Sequence, residues 1–474
     1  MLFNSIDFLI FFILVYIAYW LLNNRITSQN ILLLITSYIF YAWWDWRFLS
    51  LIIISSFIDY TAGLKIYHNN SEKYKKLWLY VSLIANLGLL GFFKYYNFFV
   101  GSFTELFTTF GININTHTLN IILPVGISFY TFQTLSYTID IYRGTFKPTK
   151  SIISFFTYIA FFPQLVAGPI ERASNLLPQI EKKRNFNVQN FKEGVFQIFV
   201  GLFRKIVIAD TLAKYVDTIY GNIEIYNSST ILLATLFYTF QIYYDFSGYS
   251  DIAIGTAKLL GFKFNQNFNL PYFSKSLTEF WRKWHMSLSY WLRDYLYISL
   301  GGNRKGIKIT YRNLLLTMLL GGLWHGSSWN FVIWGGIHGV VLSIEKYLKK
   351  YNLTKYLNSK IISFFGLFIT FSIVLFSWIF FRSQTIEDSI IAIKHILNFS
   401  FEKPFIGDIN IVITGIFVLF IGVIFDLFLY KKNYNLETIG SRYSTIKVAG
   451  IVSGIIILIA LFYSSSNNFI YFQF

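Results

Sequence analysis

Long apolar runs separated by short polar loops dominate this sequence. The first run covers residues 6–22, and further runs long enough for helices cover residues 31–44, 47–66, 77–100, 119–139, 151–168, 230–262, 361–381, 409–430 and 446–465. A helix needs about 20 apolar residues to cross a bilayer, so the pattern predicts an all-α polytopic membrane protein with about ten or eleven transmembrane helices. The first run has no basic leader and no small-residue cleavage site, which favours a retained span.

One stretch, residues 186–206, has a different pattern. Its apolar positions recur every three to four residues, with Gln, Lys and Glu between them; they are Phe191, Val195, Phe199, Leu202 and Ile206. This periodicity predicts an amphipathic helix that lies in the interface or packs under the bundle. No repeat or hydrophilic domain interrupts the chain, so residues 1–474 are predicted to form a single integral membrane domain.

The composition narrows the function classes. The 474 residues are 55% hydrophobic and only 13% charged, whereas soluble domains carry about 25% charge. The absence of cysteine excludes disulfides, thiolate zinc sites, iron–sulfur clusters and cysteine nucleophiles. The net charge of +17 lies in short loops, which is typical of cytoplasmic loops of membrane proteins and argues against nucleic-acid binding.

Two basic loops, 301–312 and 346–360, both read as cytoplasmic. The 33 residues from Asn313 to Glu345 supply about 50 Å of helix, whereas two crossings of a ~30 Å core need about 60 Å. We therefore predict a re-entrant segment that turns inside the membrane at Gly326-Ser327-Ser328. If one loop instead faces outward, the segment is one tilted helix.

His325 directly precedes this predicted turn. An ionisable side chain inside a membrane is costly and usually functional, and an imidazole can take a proton from a hydroxyl near neutral pH. His325 is therefore the leading candidate for a catalytic base. The alternative is a buried histidine bonded to a backbone carbonyl.

A second candidate, His285, lies in a stretch that begins with the capping pattern Ser276 and Glu279. One helix with an apolar stripe over residues 277–295 would place His285 at the edge of that stripe, at a cavity mouth. It could equally be a structural histidine bonded to a neighbouring helix. His338 is interpreted as a packing or supporting residue.

Asp245 and Asp251 stand in an apolar run. One interpretation is that they form a proton or ion path. The other is that they pair with Arg or Lys of a neighbouring helix, and the sequence leaves both interpretations open. The stretch 161–172 is predicted to be a broken helix end. The motifs of nucleotide-binding loops, zinc proteases and serine hydrolases are missing, so we predict no metal site.

Two blocks resemble the membrane-bound O-acyltransferase family: residues 243–304, with WRKWHMSLSYWLRDYLYISLGGNRKG, and residues 319–339, LLGGLWHGSSWNFVIWGGIHG. The opening MLFNS and the run FFPQLVAGPIER agree, and the resemblance covers essentially the whole chain. The most similar branch contains bacterial alginate O-acetyltransferase membrane subunits, with peptidoglycan O-acetyltransferases and teichoic-acid D-alanylation proteins nearby.

The resemblance implies a bundle around a central tunnel, with an acyl donor, acetyl-CoA, entering from the cytoplasm and no permanently bound cofactor. It implies that His325 is the essential histidine and His285 a second, less strictly required one. The predicted substrate-binding residues are Trp284, Trp324, Trp329 and Asp245, with Arg304 and Lys305 for the phosphates of the donor.

The last residues, Phe469-Ile-Tyr471-Phe-Gln-Phe474, resemble the F-I-Y-x-x-F end of the small partner peptide in teichoic-acid D-alanylation. That likeness implies that residues 466–474 are an outward-facing tail in which Tyr471 carries the acyl group. The alternative is a disordered or interfacial aromatic tail.

Together these features favour a multi-pass enzyme of a bacterial inner membrane that moves acetyl groups to a surface polysaccharide, such as an alginate-like exopolysaccharide or peptidoglycan. An extracytoplasmic SGNH-type acetyltransferase is the expected partner. The alternatives are D-alanyl transfer to teichoic acid, a proton-coupled transporter or flippase that uses Asp245, Asp251 and His325, and a non-catalytic scaffold.

Overall fold

The computed structural model describes residues 1–114, 116, 118–166, 168–351, 359–398, 402–463 and 469–470, and no β-strand occurs in this part of the chain. The α-helices are Ile6–Leu21 (α1), Ile26–Asp45 (α2), Leu49–His68 (α3), Glu72–Leu90 (α4), Tyr96–Thr109 (α5), Ile127–Tyr142 (α6), Ile152–Ala160 (α7), Phe162–Leu165 (α8), Ala173–Glu181 (α9), Val188–Leu202 (α10), Asp210–Tyr220 (α11), Ser228–Leu259 (α12), Leu277–Trp281 (α13), Met286–Trp291 (α14), Ile307–His325 (α15), Trp329–Lys350 (α16), Ser359–Arg382 (α17), Ile386–Leu397 (α18), Ile409–Lys432 (α19), Leu436–Arg442 (α20) and Thr445–Phe462 (α21). Three π-helical segments cover Gly91–Tyr95, Phe203–Ala209 and Leu292–Tyr297, and three 3-10 turns cover Trp46–Phe48, Ile223–Ile225 and Pro271–Phe273.

Six of the described helical segments are long and apolar enough to cross a membrane. They are Ile26–His68, Glu72–Thr109, Trp329–Lys350, Ser363–Arg382, Ile409–Lys432 and Thr445–Phe462. This result confirms the all-α polytopic class, although the predicted ten or eleven spans are not confirmed. The first two segments each contain two of the helices named above.

The chain divides into two compact units. The first comprises residues 1–191 with 256–265, and the second comprises residues 192–255 with 266–474. Both predicted histidines and the two predicted carboxylates lie in the second unit. That the chain acts as a single domain remains a prediction.

Within the second unit, α10 and α12 pack at backbone distance because glycines face each other. A Cβ at Gly201 would lie 2.6 Å from the Gly248 carbonyl oxygen, and a Cβ at Gly255 would lie 2.7 Å from that of Gly194. Neither position has room for a side chain. This close approach brings the π-helical segment after α10 against the carboxylate-bearing part of α12.

The predicted amphipathic helix exists as α10, but its apolar stripe is only partly buried. Phe191 is 39% exposed, whereas Glu193, Gln197 and the following Arg204 are buried. In an apolar medium a helix gains little by burying apolar side chains, and its polar groups must find partners inside the protein. Of the other stripe residues, Val195, Phe199 and Leu202 are half-buried and Ile206, after the helix, is buried, so Phe191 is the exposed end of a partly buried stripe.

Helices α15 and α16 form the predicted hairpin, with the turn at Gly326–Ser328. A Cβ at Gly322 would overlap the Phe331 carbonyl oxygen, which shows how closely the arms pack. The length argument for re-entry is wrong, however, because the arms extend beyond Asn313 and Glu345. At 19 and 22 residues they are about 28 and 33 Å long, close to the ~30 Å of one crossing, but α16 and not α15 is among the segments apolar enough to span, so re-entry stays a prediction.

The single helix predicted for residues 277–295 is also wrong. Ser276 does cap a helix, accepting a hydrogen bond from the Glu279 N–H at 3.1 Å, but α13 ends at Trp281. His285 has φ +41° and starts the separate helix α14. His285 is completely buried and does not lie at an exposed cavity mouth as predicted.

Candidate active site

His325 is the last residue of α15 and is surrounded by aromatic rings. Its ring centroid lies 5.1 Å from that of Trp324, 5.1 Å from that of Trp334 on the opposite arm, and 5.2 Å from that of Phe381 on α17. All three rings are steeply inclined to the imidazole, and His325 is only 4% exposed. The hairpin and α17 thus hold a titratable group in an environment from which water is largely excluded.

His285 is held by Asn267, a residue that the sequence analysis missed. The His285 Nδ1 atom lies 3.1 Å from the Asn267 side-chain oxygen. That oxygen also accepts from the Ser287 hydroxyl at 2.9 Å, while the amide nitrogen donates to the Ser250 hydroxyl at 3.1 Å. An amide oxygen can only accept, so Nδ1 carries the hydrogen and Nε2 presents a lone pair.

The local backbone explains the position of His285. The Asn267 carbonyl accepts the Met286 N–H at 2.9 Å, which ties the start of α14 to the preceding loop. A left-handed conformation is uncommon for a residue with a Cβ and persists where surrounding bonds enforce it. Burial lowers the pKa of His285 to about 3, so its imidazole is neutral at physiological pH.

Trp324 links the two histidines. Its ring centroid lies 5.8 Å from that of His285 and 5.1 Å from that of His325. Trp284, next to His285, is 1% exposed and packs against Trp378 at 5.2 Å between centroids. The structure therefore brings His285, His325, Trp284 and Trp324 into one aromatic cluster, which we call the histidine cluster.

His338 lies beside this cluster with both ring nitrogens bonded. Nδ1 accepts from the Trp281 indole N–H at 3.3 Å, and Nε2 lies 3.0 Å from the Ser377 hydroxyl. Since that hydroxyl donates to the Val374 carbonyl at 2.7 Å, Nε2 must donate to it. These bonds support the interpretation of His338 as a packing residue.

The two predicted carboxylates pair with cations of the π-helical segment Phe203–Ala209. Asp245 lies 2.9 Å from the Lys205 Nζ atom, and Asp251 lies 2.7 Å from the Arg204 guanidinium. Each cation contacts a second carboxylate, Asp210 at 2.9 Å for Lys205 and Asp426 at 2.8 Å for Arg204. The geometry favours pairing over an ion path. Two adjacent cations inside an apolar stretch were the signal that the sequence offered for this arrangement.

The C-terminal segment reaches the same region. Phe469 and Ile470 are 1% and 3% exposed. The Phe469 ring stacks on Tyr249 at 4.4 Å between centroids, and the Ile470 N–H donates to Asp245 Oδ2 at 2.9 Å. Tyr471 lies outside the described residues, so its position and the outward-facing tail over residues 466–474 stay predictions.

Three predicted substrate-binding residues lie at the surface. Trp329 is 48% exposed at the start of α16, and Arg304 and Lys305 are exposed in the loop before α15. The structure does not test their roles in binding. The stretch 161–172 does contain the predicted break, since α8 ends at Leu165.

Comparison with known proteins decides the family. The sequence profile of the MBOAT, membrane-bound O-acyltransferase family, matches residues 148–384. The probable alginate O-acetylase of Pseudomonas aeruginosa is 45% identical over 390 residues, which cover 82% of this chain and 73% of that protein. The chain belongs to the membrane-bound O-acyltransferase family.

Two other relatives show the breadth of the family around this chain. The peptidoglycan O-acetyltransferase of Helicobacter pylori is 36% identical over 428 residues, 83% of this chain and 79% of that protein. The teichoic acid D-alanyltransferase of Bacillus subtilis is 28% identical over 281 residues, 56% of this chain and 70% of that protein.

Membership of the membrane-bound O-acyltransferase family confirms that the chain is an acyltransferase and a multi-pass membrane protein, and the bacterial relatives agree with the predicted inner-membrane location. Such an enzyme uses an acyl donor and not a permanently bound cofactor. In the part of the chain that the structure describes, no group of three or more His, Cys, Asp or Glu could hold a metal ion. The roles of individual residues remain predictions.

Proposed function

We propose that this chain takes an acetyl group from cytoplasmic acetyl-CoA and moves it across the membrane for O-acetylation of a surface polysaccharide or peptidoglycan. The relatives with 45% and 36% identity are named for O-acetylation, whereas the D-alanyl-transferring relative is only 28% identical. The observation that carries the proposal is the histidine cluster, in which two imidazoles contact the ring of Trp324.

In this mechanism His325 acts as general base. It takes the proton of the attacking hydroxyl while the hydroxyl oxygen bonds to the thioester carbonyl carbon. The carbon–sulfur bond then breaks, and the imidazolium returns the proton to the departing thiolate, which leaves as CoA. A thioester is already activated, so the protein has mainly to supply orientation and a base.

His285 fits a supporting role. Because Asn267 fixes its Nδ1–H tautomer, Nε2 is an acceptor that can orient a hydroxyl group near His325. Because the ring is neutral and Asn267 holds Nδ1, this orientation persists across physiological pH. The loss of His285 should therefore reduce the rate less than the loss of His325.

Tyr471 is the proposed first acceptor and acyl relay. Ile470, which precedes it in the sequence, is held in the core by Asp245, and this contact supports a tail that reaches the reaction region. A phenol has a pKa near 10, so its ester transfers an acyl group more readily than an alkyl ester does. An extracytoplasmic SGNH-type partner would then pass the acetyl group to the polymer.

The transporter alternative depended on Asp245 and Asp251 as free proton-carrying groups, and the structure does not favour that role. Asp245 and Asp251 are each engaged by a buried cation, so they serve as partners in ion pairs. D-alanyl transfer to teichoic acid uses a different acyl donor, and the experiment below distinguishes the two by the donor that labels the protein.

The test is intact mass of the purified protein after incubation with acetyl-CoA. Wild type should gain one acetyl group; His325→Gln should gain it about 100- to 10,000-fold more slowly, and Tyr471→Phe should not gain it. His68→Gln, at an exposed histidine, is the matched control and should label normally.

Each other outcome has a definite meaning. Unchanged labelling of a folded His325→Gln protein contradicts the base role. Labelling that survives Tyr471→Phe moves the acceptor to another residue. Absence of labelling by acetyl-CoA, with labelling by a D-alanyl thioester donor, would replace acetyl by D-alanyl.

A further inference from the structure

We propose that Asp245 is the anchor of the C-terminal segment, and that Asp245, Phe246 and Tyr249 of α12 form a binding site for Phe469 and Ile470. Its consequence for acyl transfer rests on the function proposed above, whereas the docking itself rests only on the contacts described here. In this assignment Asp245 is a positioning residue, which replaces its predicted role in substrate binding.

The polar part of the site is a carboxylate that binds a backbone amide. Asp245 Oδ1 contacts Lys205 at 2.9 Å, and Oδ2 accepts the Ile470 N–H at 2.9 Å. The residues involved are buried, with Lys205 and Asp245 each 2% exposed. A buried carboxylate needs partners for both oxygens. Lys205 is the partner of one oxygen, and the backbone amide of the C-terminal segment is the partner of the other.

The charges of this cluster explain why an amide is attracted here. Lys205 is shared between Asp210 and Asp245, so one positive charge faces two carboxylates. Asp245 therefore receives only part of the charge of Lys205. A backbone N–H offers a partial positive charge without adding a further ionised side chain.

The apolar part of the site comes from the same helix face. Residues 245, 246 and 249 lie within about one turn of α12. Phe469 stacks on Tyr249 with 28° between the rings, and its centroid lies 5.8 Å from that of Phe246. Phe246 in turn lies 4.7 Å from His285, so one ring separates the docked segment from the histidine cluster.

Asp251 supplies the contrast. It stands on the same helix, is also buried and also pairs with a cation of the Phe203–Ala209 segment. Its two oxygens contact Arg204 at 2.7 Å and the Gln197 amide at 3.2 Å. Both carboxylates are therefore buried ion-pair partners, and of the two it is Asp245 that contacts the described part of the C-terminal segment, residues 469–470.

The absence of native cysteine makes thiol labelling a clean test. We would introduce Ile470→Cys, which keeps the backbone N–H, and measure the rate of maleimide labelling in detergent. The thiol should be protected in this background. Adding Asp245→Asn should raise the rate about 10- to 100-fold, because an amide offers one accepting oxygen, which Lys205 occupies.

Adding Asp251→Asn instead is the matched control, and the thiol should stay protected. A shared loss of folding is detected by thermal unfolding and gel filtration of each variant. Should both carboxylate variants unfold, Ile470→Pro removes the N–H without changing either carboxylate, and Ile470→Ala, which keeps the N–H, controls for the loss of the buried Ile side chain. Ile470→Pro should abolish acetyl labelling by acetyl-CoA, whereas Ile470→Ala should retain it.

A thiol that reacts rapidly in the starting background, or that stays protected in folded Asp245→Asn, overturns the anchor. Equal acetyl labelling of Ile470→Pro and Ile470→Ala does so as well. Failure of the proposed function gives a different result. The wild type is then not acetylated, yet the Ile470→Cys thiol is protected from maleimide and Asp245→Asn raises its labelling rate.

Discussion

Gly248→Ala tests the close packing of α10 and α12 on which the buried ion pairs depend. A Cβ at this position would lie 2.7 Å from the Gly201 carbonyl oxygen, 3.0 Å from the Lys205 backbone nitrogen and 3.1 Å from the Arg204 Cβ atom. Ordinary C···O contacts begin at about 3.3 Å, so the helices must separate by about 0.6 Å. The obstacles are backbone atoms and a Cβ, which no change of side-chain rotamer can remove.

The expected cost follows from two opposing terms. Overpacking of this kind costs about 1–3 kcal/mol, whereas replacing glycine by alanine inside a helix gains about 0.5–1 kcal/mol. Apart from the backbone of its own helix, no described atom lies within 4 Å of a Cβ added at Gly454 in the interior of α21, so Gly454→Ala serves as the control. The helix term cancels between the variants, so Gly248→Ala should be less stable than Gly454→Ala by about 1–3 kcal/mol.

The assay is thermal unfolding of both variants in the same detergent, combined with the rate of acetyl labelling. Separation of the helices pulls Arg204 and Lys205 from their carboxylates and disturbs the anchor of the C-terminal segment, so labelling should also slow. If Gly248→Ala unfolds at or above the temperature of Gly454→Ala, the helices are not packed at backbone distance and the argument fails.

Two further predictions concern buried charge. Arg204→Met leaves Asp251 and Asp426 without their cation and should lower the free energy of unfolding by about 3–5 kcal/mol. Adding Asp251→Asn and Asp426→Asn to Arg204→Met should restore part of this stability. If Arg204→Met alone is as stable as wild type, the pairing is contradicted. The folded-state pKa of His285, about 3, lies below its unfolded value near 6.5. The unfolded chain therefore binds more protons below pH 6.5, and the protein loses stability as the pH is lowered, by about 2 kcal/mol at pH 5. His285→Asn, which keeps a donor for Asn267, should flatten this loss in unfolding measured from pH 7 to pH 5, and an unchanged pH dependence would refute the neutral buried imidazole.

Local sequence signals predicted the helices and the hairpin because their causes are local. A Gly-Ser-Ser turn between apolar runs marked the end of α15, and the Ser276 hydroxyl capped α13 as the spacing indicated. The single helix predicted after that cap is instead broken between α13 and α14, at His285. Its left-handed backbone is tied by Asn267, 18 residues earlier in the chain, and no periodic pattern contains that bond.

For α10, periodicity gave an incomplete prediction of the buried face. In soluble proteins the apolar face of an amphipathic helix is the buried one, and that rule holds only in part for this helix. Phe191 of the predicted stripe is exposed and three further stripe residues are only half-buried, while Gln197 and Arg204 are buried. For a helix in an apolar medium, the polar positions are the better guide to the buried face, because those groups require partners.

The apolar runs, the two histidine blocks and the family they identify are properties of consecutive residues, and reading the chain was enough to find them. The partners of the buried charges were decided by packing: Arg204 meets Asp426 from 222 residues away, and Asp245 meets Ile470 from 225 residues away. Periodicity and capping act over a few residues, whereas these bonds form only after glycine contacts and aromatic rings have set the distances between helices. For that reason the histidines could be named from the chain, and the anchor for its C-terminal segment emerged from the folded structure.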